Sequence, residues 1–162
     1  MKFRGNEEMK MSMLKQFNLS RTSLLTFINE LDEEVLDYQF KYFDNTIRWY
    51  IGNTLFINEK LLFVSSDKSQ NIPKEFAQLF SSDIKASDWT TEPPTLSQLV
   101  EYLEDQQVRI NNFKELFWKS NVKFKAPYGH IETHGDMLIM LAHRESEMLG
   151  RIKAMKEVYD LQ

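Results

Sequence analysis

The run His143-Arg144-Glu145-Ser146-Glu147-Met148-Leu149-Gly150-Arg151-Ile152 holds the spacing that most suggests chemistry. His143 and Glu147 are four residues apart, so on a helix their side chains stack on one face. An imidazole and a carboxylate so placed can serve a divalent cation as nitrogen and oxygen ligands, or the carboxylate can act as a base. The same two groups can instead satisfy each other by a hydrogen bond. Other chemistries are excluded by what is missing. The chain has no cysteine, which removes disulfides, thiolate metal sites and a thiol nucleophile. It also lacks Gly-x-Ser-x-Gly, Gly-x-Gly-x-x-Gly, a Walker loop and His-Glu-x-x-His. No Glu-x-x-His pair is present, which argues against a ferritin-like di-iron centre. His134 reads as an exposed residue near a helix start, and His130 as a solvated turn residue.

The elements that must position this pair are helices. Met137, Met140, Leu141, Met148, Ile152 and Met155 recur at steps of three and four, predicting a last helix over residues 133–161 with one buried stripe. Gly150 and Ala154 on it are expected to admit a neighbouring helix closely. Leu14, Phe17, Leu24, Leu25, Ile28 and Leu31 predict a first helix over residues 12–31, with Arg21 as the polar intruder. Asp32 opens a short helical turn, and Asp44-Asn45-Thr46 caps a second long helix through Ile47, Tyr50, Ile51, Leu55, Leu61 and Leu62. Periodicity is lost over residues 65–94, where Phe76, Leu79 and Phe80 predict a short helix pinning a long crossover. Thr95-Leu96-Ser97-Gln98 is a capping box that starts a third long helix ending near Trp118. Residues 119–130, with Pro127 and Gly129, form a second loop, and Thr133 to Asp136 opens the last helix.

Composition fits a globular domain: 162 residues, 42% hydrophobic and 27% charged. A net charge of −4 without a basic stripe argues against binding nucleic acid. No apolar run approaches the ~18 residues of a membrane span, and the first residues lack a signal-peptide pattern. A cytoplasmic protein is expected, with residues 1–12 a frayed tail and residues 13–162 one domain. The aromatic load (Phe56, Phe113, Phe117, Trp118) makes a helix-packed dimer plausible.

Longer motifs carry a family resemblance. Asp44-Asn45-Thr46-Ile47-Arg48-Trp49-Tyr50-Ile51-Gly52-Asn53, followed by Glu59, resembles the second-helix signature of the DinB/YfiT-like superfamily, in which Asn-Thr-Ile-Arg-Trp leads to Gly-His. Residues 80–89 with Pro93-Pro94-Thr95 resemble its crossover, and the run from His143 to Ile152 resembles its last helix, His-x-x-x-His-x-Gly-x-Ile. The resemblance implies an all-α four-helix bundle with a long crossover between the second and third long helices, often a homodimer. It further implies one divalent metal held by three histidines, activating a low-molecular-weight thiol or a water, as in thiol transferases. It implies no DNA binding. Carried onto this chain, the ligand places fall on Asn53, His143 and Glu147, with Trp49, Tyr50 and Met140 lining the pocket. Two readings stay open. One is a metal enzyme holding zinc, nickel or manganese. The other is a metal-free polar cluster in a non-catalytic bundle that dimerises or binds a small molecule. Tyr50 either offers its hydroxyl to a ligand or packs between helices, and Arg48 either meets an anionic substrate or pairs with a neighbouring acid.

Overall fold

A computed structural model describes residues 2–66, 68–123 and 130–162, with side chains from Ser12 onward. Among the described residues the chain is all-helical, with a single isolated bridge between Asn121 and Thr133. The helices are α1 (Lys2–Ile28), α2 (Glu33–Leu36), α3 (Ile47–Glu59), α4 (Phe76–Phe80), α5 (Leu96–Asn111), α6 (Glu115–Lys119) and α7 (His134–Asp160). A π-helical turn, Lys60–Val64, prolongs α3, and a 3-10 turn, Ala86–Asp88, lies between α4 and α5.

Local chemistry sets the helix starts. The Thr46 hydroxyl accepts from the Trp49 amide at 3.2 Å, and Thr95–Gln98 and Thr133–Asp136 form complete capping boxes. Asp32 stands at the N-cap of α2, with no side-chain capping bond. Two boundaries differ from expectation. Helix α1 begins at Lys2 rather than near residue 12. Helix α5 stops at Asn111 instead of running on to Trp118, and the chain restarts as α6. Asn111 and Asn112 are poor helix formers, and the break lets Phe113 stack on Phe117 at 3.9 Å while Trp118 is buried. The part of the second loop that includes Pro127 and Gly129 lies outside the described residues.

Helix α1 packs on α7 and α5, and α3 packs on α5 and α7. Their buried faces form two apolar clusters. One gathers Leu24, Ile28, Ile51, Leu55, Phe80, Leu103 and Ile152; the other gathers Phe17, Leu62, Ile110, Trp118, Met137 and Leu141. On each long helix a buried polar residue falls in sequence between these clusters: Arg21 on α1, Asn58 and Glu59 on α3, Gln106 on α5, and Glu145 on α7. Arg21 donates through Nε and Nη2 to the Glu145 carboxylate, both at 3.0 Å, to the Leu103 carbonyl at 2.8 Å, and to Gln106 Oε1 at 2.9 Å. Gln106 in turn donates to Glu59 at 2.9 Å, and Glu59 also receives Arg109 at 2.7 and 2.9 Å. Every charge in this layer is paired, which is the condition for burying charge without a large penalty. The layer also fixes axial register, because sliding one helix would strand a charge.

Candidate functional site

Gly52 and Asn53 sit where α3 meets α4. A Cβ on Gly52 would lie 2.2 Å from the Phe80 ring, so only glycine lets α4 seat this closely. The seating brings the Phe80 carbonyl within reach of the next residue, and Asn53 Nδ2 donates to it at 2.7 Å. Asn53 is fully buried, and its remaining oxygen accepts from Arg144 Nη2 on α7. Asn53 is thus satisfied on both sides, by a backbone carbonyl and by a guanidinium.

Around this pair, Met140, Arg144, Met148 and Arg151 share one face of α7 by their spacing of four, four and three. Tyr50 is buried beneath Arg151, whose guanidinium carbon is 5.4 Å from the ring centroid and whose Nη1 lies 3.5 Å from the hydroxyl. Trp49 is buried edge-on to Tyr50 at 5.2 Å, and its indole N–H has no hydrogen-bond partner among the described residues. Met140 and Met148 are half-buried, one against each apolar cluster.

His143 and Glu147 lie elsewhere on the helix surface. Nε2 of His143 is 3.0 Å from Glu147 Oε1, but the two side chains are 72% and 68% exposed, and neither bonds to Asn53. The structure therefore brings the histidine and the carboxylate together in solvent and leaves the amide inside. Gly150 and Ala154 are exposed as well, and a Cβ on Gly150 would meet nothing within 4 Å, so among the described residues no helix closes over them. The reason is rotational. Consecutive helical residues are turned by about 100°, and the buried Glu145–Arg21 pair fixes the roll so that 144 and 148, not 143 and 147, face α3.

A family model described as the DinB superfamily matches residues 16–146, most of the chain. The chain belongs to the DinB superfamily. No curated protein matches it significantly. Aligned on Gly150 and Ile152, the pattern that the resemblance implies, His-x-x-x-His-x-Gly-x-Ile, would set its two histidines at 144 and 148, of which 144 lies inside the matched residues and 148 beyond them. That alignment differs by one residue from the expected ligand place at His143. Counting from the glycine gives Arg144, which donates to the buried Asn53.

The residues at these DinB positions do not fit a divalent metal. Asn53 gives its oxygen to a guanidinium, Met148 is a thioether, and Arg144 sets a fixed positive charge where a cation would need lone pairs. Among the described residues no three His, Asp or Glu side chains come together as a donor set. Among the described residues, neither α7 carboxylate near Arg144 is placed to act as a general base on this face. Glu145 is sealed against Arg21, and Glu147 points to solvent.

The remaining charged candidates are structural. Arg48 donates to Asp37 at 2.8 Å, to Glu33 at 2.6 Å and to the Pro94 carbonyl at 2.7 Å. Burial opposes its charge, but the bonds to Asp37 and Glu33 outweigh burial and raise its pKa. Glu33 also accepts from the Leu96 amide, so Arg48 and Glu33 fasten the start of α5 to α2 and α3. His130 is exposed, as expected, whereas His134 is buried, its ring stacked on Phe117 at 4.4 Å. No described helix is long and apolar enough to cross a membrane.

Proposed function

We propose that this DinB superfamily member is a four-helix bundle, with residues 65–94 as the crossover, that works as a metal-independent binding protein for a small anionic molecule. The hydrogen bond from Arg144 to Asn53 carries this reading. In relatives the resemblance implies a positive metal ion at this place; here a guanidinium supplies the positive charge and a buried amide aims it. Arg144, Arg151 and the Tyr50 hydroxyl are the donors that the described contacts bring to this face. A face whose described polar groups are mostly donors suits holding an anion.

Metal analysis and ligand binding test the reading together. Untagged protein titrated with zinc, nickel or manganese is expected to bind none stoichiometrically. A thermal-shift screen of small carboxylates and phosphates is expected to give hits that Arg144→Gln abolishes. Stoichiometric metal lost in His143→Ala would overturn the proposal in favour of a metal enzyme.

A further inference from the structure

Residues 69–75, between the π-helical turn and α4, are held down lightly. Just before them the Lys68 amide donates to the Phe63 carbonyl at 2.8 Å, and just after them Phe76 is buried. In between, Ile72 and Pro73 are half-buried, while Ser69, Gln70, Asn71, Lys74 and Glu75 are exposed. Such a segment buries little apolar surface of its own.

Among the described residues, the hydrogen bonds that tie residues 69–75 to α3 and α5 all come from Asn71. Its amide donates to Glu59 Oε2 at 3.2 Å, and its Nδ2 donates to Asp105 Oδ2 at 2.8 Å. The same two oxygens also receive Arg109, at 2.9 and 2.7 Å. Burial works against the Asp105 carboxylate, but the bonds from Asn71 and Arg109 outweigh it and lower its pKa. The Arg109 guanidinium carbon in turn lies 4.3 Å from the Phe63 ring centroid. Exposure rises outward along this chain of contacts: the Glu59 side chain is 0% exposed, Arg109 21% and Asp105 42%. Glu59 is thus the inner end, continuous through Gln106 with Arg21 and Glu145. Asn71 and Arg109 stand over it.

We propose that residues 69–75 are a gate over the outer end of the polar layer. The segment opens as a unit while the bundle stays folded, Asn71 is its catch, and opening uncovers the pair of Glu59 and Arg109 to solvent. Segments with few buried apolar contacts open locally in this way, well below the cost of global unfolding. The gate is independent of the Arg144 site.

Hydrogen exchange followed by NMR on the full chain tests it, because the Asn71 amide is itself bonded to Glu59 and exchanges when that bond opens. This amide is expected to be protected, yet to exchange about a hundredfold or more faster than the amides of Leu55 and Leu103 in the core. Its rate should depend little on low denaturant, since a local opening exposes little surface. Asn71→Ala keeps the amide and removes the side-chain bond to Asp105. Exchange at position 71, corrected for its intrinsic rate, should then quicken by about tenfold or more, with Leu55, Leu103 and the melting temperature unchanged. An unprotected amide at position 71 in the parent, exchange there at the core rate, indifference to Asn71→Ala, or acceleration in step with Leu55 and Leu103 would each overturn the proposal.

Discussion

If the DinB ligand places are 53, 144 and 148, then Asn53→His, Arg144→His and Met148→His together should build a metal site in this chain. The substitutions first cost stability. Losing the charge-assisted bond between Arg144 and Asn53 costs about 1.5–3 kcal/mol, and trimming half-buried Met148 adds about 1. At about 2–4 °C per kcal/mol for a domain this size, the metal-free variant should melt roughly 5–16 °C below the parent. Three imidazoles on facing helices then suit zinc or nickel. Free zinc at a hundredfold its dissociation constant returns about 2.7 kcal/mol, or about 5–11 °C. The assay is a melting curve with and without zinc, paired with metal content after desalting. The control combines Asn53→His with Glu147→His, keeping native His143; it should gain no zinc dependence. A zinc-stabilised control alongside an indifferent triple variant would refute the register, and with it the claim that Arg144 occupies the DinB site.

Breaking the polar layer should be costly and partly reversible. Arg21→Met strands the buried Glu145 carboxylate, and chemical denaturation should show a loss of about 3–5 kcal/mol, much of it recovered when Glu145→Leu is added. Gly52→Ala drives a methyl into the Phe80 ring; overpacking of about 1–3 kcal/mol should outweigh the ~1 kcal/mol of helix propensity gained, so the melting temperature should fall. Thr133→Ala removes the acceptor for the Asp136 amide and should cost about 1 kcal/mol in denaturant melts. His134 has a depressed folded pKa, so its contribution is complete above the unfolded value of about 6.5 and is lost as pH falls through the folded value. Stability measured from pH 7 to 5 should decline, and the decline should be shallower in His134→Gln.

Much of the fold was legible because helix periodicity and capping are local. Thr95-x-x-Gln98 and Thr133-x-x-Asp136 announce their helices in four residues, and Phe76, Leu79 and Phe80 already mark α4. The Asn111–Asn112 break was hidden because apolar spacing continues through Phe113 and Phe117 as though the helix did. Arg21 shows in the sequence as an intruder in an apolar stripe with no partner named, and Glu145 reads as one more solvated charge on a helix. Only their pairing across α1 and α7 explains their burial. Asn53 was found through the motif ending Gly52-Asn53. Its hydrogen-bond partner is Arg144, the neighbour of the histidine that the motif singles out, and nothing local in the sequence marks an arginine there as a partner. His134 looked like a surface residue at a helix start because nothing local announces the Phe117 ring that covers it.

The bolt between Arg21 and Glu145 has a consequence for how this protein can change over time. It clamps α7 against rolling, so the identity of the residue facing α3 is settled next door, at a position that touches no ligand. Side chains at 144 and 148 can then be exchanged residue by residue while the helix keeps its angle. A tool whose handle is locked can have its bit replaced.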